Sequence, residues 1–230
     1  MKSIPLPAKD FDIYIARPDT RWLLREGEPL AEIYTQGYLP YSGAHNSKDI
    51  FYSGRSARVV LSDFSLSSEN RRIAKRFDGL FQKELVPFTQ FKPDNHFWNL
   101  SLTYFAQKHG PGAMPRARIE ALFAAGILTT VVVYRHDKEI VGYVLEVEDG
   151  TIRHFWYSFY DIRYVQQSLG LWLMLDCIRA AQEDSFAYYY LGTVYGEKAL
   201  YKTNFEPLQW WDGTHWNNDQ KLLRERGRSE

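Results

Sequence analysis

A single cysteine, Cys177, occurs in 230 residues. No disulfide can form within the chain, and a reducing compartment fits. No run approaches the ~18 apolar residues of a membrane-spanning helix, so no membrane attachment is expected. The opening stretch, Met1-Lys2-Ser3-Ile4-Pro5, has no apolar core of the signal-peptide kind. Net charge is also missing, because 28 basic residues balance 28 acidic ones. That excludes a surface that grips nucleic acid all over, but it leaves room for a local basic patch. The histidines (His45, His96, His109, His136, His154 and His215) have no metal-ligand spacing. No phosphate loop, dinucleotide fingerprint or nucleophile elbow occurs. Neither a metal nor a cofactor is therefore expected, and a cytoplasmic protein is.

What the chain does have is an apolar share of 45% against 24% charged, enough for a packed core. Aromatics reach 16%, which suits either ring packing or a ring-lined cleft. Near the start, Phe11-Asp12-Ile13-Tyr14-Ile15 alternates and reads as an early strand within a loose arm at 1–28. Residues 29–37 read as a short helix stopped by Gly37, and 38–53 as a polar loop. Residues 55–63 alternate as a strand. Ser67 or Ser68 then caps a helix over roughly 68–82, with Glu69 in its first turn. Pro87 and Pro93 interrupt the chain before helices at 95–109 and 115–125.

From Thr129 the texture becomes β-rich. Runs at 129–134, 139–147 and 152–160 are joined by tight turns at His136-Asp137-Lys138 and Glu148-Asp149-Gly150, an antiparallel meander. One long helix is expected over 164–183, a buried strand at 186–191, a short helix at 196–203, and a strand or strand pair over 207–216. The polar tail, 217–230, is expected to fray. This order gives an α+β fold: helices packed on a mostly antiparallel central sheet, with a smaller α/β region in front. The boundary is placed at 93/94.

The stretch from Phe155 to Gly170 carries the chemistry. A strand that enters a helix through a polar turn aims helix amino-terminal N–H groups at the sheet's open edge, where they suit phosphate or a developing oxyanion. Strand order and Gln167-Ser168-Leu169-Gly170 resemble the pyrophosphate loop of GNAT acyltransferases, but Trp172 stands where that loop ends in a small residue. A helix-packing glycine reads Gly170 equally well. Asp161 is either an amine-orienting carboxylate or a turn cap. Cys177, inside the long helix, reads as a small buried residue.

A second resemblance covers residues 30–216 in order. Tyr190-Leu191-Gly192, Lys198-Ala199-Leu200-Tyr201-Lys202, Phe205 and Pro207-Leu208 resemble the C-terminal signature of the arginyl- and leucyl-tRNA–protein transferases, the N-degron aminoacyltransferases. Phe159-Tyr160-Asp161, Ser168-Leu169-Gly170, Gly37-Tyr38-Leu39-Pro40-Tyr41-Ser42-Gly43 and Arg58-Val59-Val60-Leu61 are similar to further motifs of that family, as are Ser68, Arg71 and Arg72. The family's cysteine cluster is absent: the matching region is Asp49-Ile50-Phe51-Tyr52-Ser53-Gly54-Arg55.

The resemblance implies a GNAT-like domain in which the α-amine of a protein, peptide or small molecule attacks the ester of an aminoacyl-tRNA. It implies Ser168, Gly170 and Asp161 as catalytic positions, with backbone N–H groups around Ser168–Gly170 holding the oxyanion. Leu169, Tyr160, Tyr41, Ser42 and Asp63 become substrate contacts. Lys198 and Lys202, four apart and so expected on one helix face, would flank Tyr201 and meet phosphates at the tRNA 3′ end. Arg71, Arg72, Lys75 and Arg76 form the densest positive patch, either a tRNA contact or a solvated helix face. A coenzyme A-dependent GNAT enzyme and a non-catalytic tRNA- or degron-binding relative are the competing expectations.

Overall fold

Alternating Val, Tyr and Leu residues from 130 to 160 build the centre of the molecule. The computed structural model describes residues 21–42 and 49–230. The expected early strand at 11–15 and most of the polar loop after Ser42 lie outside these residues. In chain order come β1 (Arg21–Leu23), α1 (Leu30–Thr35), β2 (Tyr38–Pro40), β3 (Ile50–Ser53), β4 (Ser56–Val60) and α2 (Ser68–Phe77). Then follow β5 (Gln82–Pro87), α3 (Asn95–His109), α4 (Arg116–Ala124), β6 (Thr130–His136), β7 (Glu139–Asp149) and β8 (Ile152–Tyr160). The chain continues through α5 (Leu169–Glu183), β9 (Tyr188–Thr193), β10 (Leu208–Trp211), β11 (Trp216–Asn217) and α6 (Gln220–Arg228).

Eight strands pair in the order β11-β10-β4-β9-β8-β7-β6-β5, and β1-β3-β2 form a small separate sheet. Among the described strands only β8 and β9 run parallel. Strands β4 and β5, from before residue 94, pair into the same large sheet as the later strands. α3 covers one face of the sheet, where Phe97 meets Tyr143 and Phe159 with ring centroids 5.0 and 5.1 Å apart. α5 and α2 cover the other, where Trp172 packs on Phe77 and Tyr134.

Five local expectations change. Residues 38–53, expected as a polar loop, carry β2 and β3, which pair with each other and bury Leu39 and Phe51. The helix begun by the reciprocal Ser67–Asn70 cap stops at Phe77, because Asp78 turns extended and its carboxylate holds Trp172 and Arg179. β5 then appears as a largely exposed edge strand ending at Pro87, which suits a residue with no ladder N–H. The helix expected over 164–183 is two pieces: a 3₁₀ segment, Ile162–Gln167, and α5, broken by Ser168 at φ 67° and ψ 33°. The tail does not fray. Asp219 accepts from the Leu222 N–H at 2.9 Å to cap α6, and Leu223 is fully buried. Among the described residues no helix is long and apolar enough to cross a membrane.

Glu146 of β7 is buried in the core and accepts a hydrogen bond from the Tyr189 hydroxyl. Burial pushes its carboxyl up to about 7, and the Tyr189 bond and the Arg153 charge pull it back only in part. The folded state therefore keeps a proton that the unfolded state gives up at its ordinary 4.5. Stability falls as pH rises between those values. Glu146→Gln does not titrate. Relative to the parent its stability should climb by up to about 3 kcal/mol across that interval and stay level outside it. Urea melts at stepped pH check this; a difference independent of pH is the contrary result.

Candidate active site

β8 and β9 pair for only three residues, ending at His154 opposite Tyr190. β8 runs on to Tyr160 while β9 turns away, so Trp156, Tyr157 and Ser158 are only half-buried in the middle of a large sheet. The two strands enclose a fork. His154 sits at its apex, buried, with Nδ1 2.9 Å from the Tyr34 hydroxyl. Burial, and then the Lys202 charge, push the imidazole down to about 3, so it is neutral at physiological pH. Gly192 closes the β9 arm at φ +79°; a Cβ there would stand 3.5 Å from Lys202 Nζ and 3.9 Å from His154 Nε2. The backbone angle favours glycine, while both approaches are ordinary contact distances. Lys202 Nζ donates to the Thr193 carbonyl at 2.7 Å, and burial lowers its pKa to about 8.

The β8 arm ends at Tyr160, beneath the first turn of α5. The Gly170 N–H donates to the Tyr160 hydroxyl oxygen, and the Tyr104 and Tyr160 hydroxyls share a second hydrogen bond. A Cβ on Gly170 would fall 2.8 Å from that oxygen and from the ring edge, so only glycine admits the tyrosine here. Tyr104 comes from α3 on the opposite face and reaches Tyr160 through the opened end of the sheet, with ring centroids 4.8 Å apart. With Tyr104 as the donor in that shared bond, the Tyr160 oxygen has its own proton left to give. Burial raises the Tyr160 pKa, although both bonds work against it, so the hydroxyl stays protonated. Tyr201 leans over this pair with 42% of its surface exposed, while its enclosed hydroxyl is pushed up to about 12 by burial and then by Tyr160.

The site residues expected from sequence fare unequally. Ser168 takes the left-handed turn; its side chain caps nothing, and its carbonyl accepts from Leu171 and Trp172. Gly170 spends its N–H on Tyr160. Leu169 is fully buried and packs in the core. Asp161 is a turn cap: its carboxylate accepts from the Arg163 N–H at 2.8 Å and from Arg163 Nε at 2.7 Å. Burial alone would raise its pKa, but the Arg163 bonds outweigh it and hold the carboxyl below its usual range.

Lys198 and Lys202 do not share a face. Glu197–Asn204 is a 3₁₀ segment, and at three residues per turn positions four apart diverge by about 120°. Lys198 points to solvent and Lys202 points into the fork. Ser42 Oγ lies 2.6 Å from the Tyr157 hydroxyl on the β8 arm, and Tyr41 is buried beside Tyr52. Asp63 is exposed at the far end: the neighbouring Leu61 and Phe64 carbonyls accept from Gln182, at the carboxyl end of α5. Arg71 donates to the Leu66 carbonyl and Arg72 pairs with Glu69. Lys75 is exposed, and Arg76 donates to the Gln167 carbonyl at 3.0 Å, beside the Ser168 turn. Trp172 points away from the fork, donating to Asp78 Oδ1 at 2.8 Å. Cys177 is buried against Tyr134.

Tyr104, His154 and Tyr34 were not legible as site residues. Each sits in a run of core aromatics with nothing local to set it apart. Two surface hollows, of about 440 and 490 Å³, lie elsewhere, one around Leu24, Asp49 and Ile127 and one around Val60 and Phe186. Among the described residues no group of three or more His, Cys, Asp or Glu gathers to hold a metal.

Residues 96–203 match the acetyltransferase (GNAT) domain family. An aspartate/glutamate leucyltransferase of Methylorubrum extorquens (strain PA1) is 31% identical over 213 residues, covering 80% of this chain and 81% of that protein. One of Hyphomonas neptunium (strain ATCC 15444) is 26% identical over 198 residues, covering 77% and 76%. The crystal structure of FemX aligns at a TM-score of 0.48 and 8% identity, over 74% of this chain and 63% of that one. The α+β sheet, the fork and the domain match together define an acyltransferase of the GNAT type. More narrowly, the chain belongs to the aspartate/glutamate leucyltransferases, an aminoacyl-tRNA transferase family, as its motifs led one to expect.

Proposed function

We propose that this chain moves leucine from charged tRNA to the α-amine of a polypeptide that begins with aspartate or glutamate, in the cytoplasm. The observation that carries the reading is the identity with named aspartate/glutamate leucyltransferases along four-fifths of both chains. The fork supplies a chemistry that fits it. The acceptor's α-amine, with a pKa near 8, is partly neutral at pH 7. Its lone pair forms the new C–N bond at the ester carbonyl as the carbonyl π pair moves onto oxygen. Tyr160, with its oxygen fixed by Gly170 and Tyr104, donates to that oxyanion, the role the sequence assigned to backbone N–H groups. The oxyanion then collapses, the C–O bond to ribose breaks, and the amine's surplus proton passes to the departing ribose oxygen. Lys202 offers its cation to the phosphate beside that ribose, with Lys198 and Tyr201 outside it. The α2 face of Arg71, Arg72, Lys75 and Arg76 tracks phosphates of the acceptor stem. Residues 1–93 thus serve tRNA and acceptor, and 94–230 hold the transfer site.

An acyl-coenzyme A donor is favoured only by the GNAT match. It would need a free helix amino terminus for pyrophosphate, whereas the Gly170 N–H is committed to Tyr160. Incubation with radiolabelled leucyl- and arginyl-tRNA and peptides beginning Asp, Glu, Lys or Ala is expected to label only the acidic peptides, from leucyl-tRNA. Calorimetry with coenzyme A is expected to give no heat at millimolar concentration. Transfer from no charged tRNA would sink the reading.

A further inference from the structure

Arg55 is a fully buried cation outside the mechanism above. Its Nε donates to the Val194 carbonyl at 2.8 Å, and its guanidinium carbon lies 4.5 Å from the centroid of the Tyr195 ring. Its backbone N–H donates to the Tyr195 hydroxyl at 2.8 Å. Nη1 is buried with no partner, and Nη2 donates to the Glu230 carboxylate. The other oxygen of that carboxylate accepts from the Gly196 N–H at 2.7 Å. Gly196 opens the 3₁₀ segment that carries Lys198, Tyr201 and Lys202. The side chain of Arg55 has no exposed surface, whereas that of Glu230 keeps 26% of its own. Glu230 therefore plugs a built site from outside. The anchors also connect to the fork: Arg55 bonds the Val194 carbonyl, and Lys202 the adjacent Thr193 carbonyl.

We infer that Arg55 and the Gly196 N–H form a carboxylate site for the acidic side chain of the acceptor's first residue, and that Glu230 occupies it as an internal mimic. This rests on the transferase reading. The acidic acceptor is the one named for the 31%-identical relative. A carboxylate takes one oxygen from a guanidinium and one from a backbone N–H, as Glu230 does, and the spare Nη1–H gives an incoming ligand one bond more than Glu230 makes. An amide side chain brings no charge to the buried guanidinium and is refused.

The test uses the full chain, with peptide binding read in the absence of tRNA and leucyl-tRNA binding read separately. Fluorescence anisotropy measures binding of labelled peptides beginning Asp or Glu, and of the matching Asn and Gln peptides. Glu230→Ala removes a partly exposed plug and should tighten the acidic peptides at least fivefold while leaving the amide peptides unchanged. Arg55→Lys, checked for native circular dichroism, should weaken the acidic peptides tenfold or more; if it fails to fold, Glu230→Ala still decides. Equal affinity of Glu230→Ala for acidic and amide peptides overturns the assignment. So does a gain for leucyl-tRNA instead, which would make the site a phosphate contact. Acid-selective binding without transfer from any charged tRNA would leave this site standing and remove the transferase reading.

Discussion

Tyr160→Phe is expected to cut kcat for aminoacyl transfer about a hundredfold, the usual effect of deleting one oxyanion donor, with KM for leucyl-tRNA nearly unchanged. The phenol oxygen is a hub: the Gly170 N–H and the Tyr104 hydroxyl both bond it, which limits how the phenol can shift. A fixed donor costs no reorganisation when the oxyanion forms, whereas phenylalanine fills the same volume and offers none. Two companions separate this role from packing. Tyr104→Phe keeps the Tyr160 hydroxyl but frees it to rotate, so kcat should fall by only about fivefold, since the net worth of such a bond is ~1 kcal/mol. Gly170→Ala keeps both hydroxyls yet puts a methyl 2.8 Å from the Tyr160 oxygen, so the tyrosine must move and kcat should fall as far as in Tyr160→Phe. Burst kinetics on all three, with thermal melts, give the answer. Full kcat in Tyr160→Phe would remove the tyrosine from the chemistry.

The sheet and most helices were legible because their signals are local. The β6–β8 meander follows from alternation between turn residues, and the start of α2 from a capping serine with Glu69 in the first turn; the reciprocal bond from Asn70 came only with the structure. β5 was not legible, since an exposed edge strand need not alternate: Leu85 is 51% exposed. The 3₁₀ form of Glu197–Asn204 was hidden as well. Its composition suits an α-helix, and packing against α6, where Gly227 receives Leu200, accompanies the tighter turn. Ser168 misled for a related reason. Periodicity runs through 164–183 without a break, but Tyr160 fills the space under Gly170, and the chain enters α5 by a left-handed residue. The sequence thus pointed to the turn on which the proposed site is built, but it offered the turn's backbone N–H groups as donors where the packing under Gly170 offers Tyr160. Motif spacing marks where a glycine is needed. It does not say what the glycine makes room for.

Lys202 yields the other large effect. Lys202→Met should lower kcat/KM for leucyl-tRNA about a hundredfold, the size of a lost charge-assisted contact, without loss of stability. The reasoning starts from what surrounds the ammonium. It bonds the Thr193 carbonyl, lies beside Gly192 and a neutral His154, and burial alone drives its pKa down to about 8. A cation so placed lacks an opposite charge, and a phosphate entering the fork supplies one. Methionine has no charge to desolvate, which offsets the lost bond to the Thr193 carbonyl, so the fold loses little from the substitution and the donor has much to lose. The sign of the pH effect follows. If the charged form binds donor, kcat/KM must fall as pH rises through about 8 and the ammonium is lost. That limb should vanish in Lys202→Met, which is low at every pH, and move above the measurable range in Lys202→Arg, whose charge persists. A lysine acting instead as a proton acceptor would give the opposite limb, with activity climbing through the same pH and arginine failing to replace it. Steady-state profiles from pH 6 to 10 at saturating acceptor distinguish the two once they are compared across variants, because the acceptor's own amine contributes the same rising limb to every enzyme. A rising limb present in the parent and lost in Lys202→Met would transfer Lys202 from donor binding to activation of the acceptor's amine.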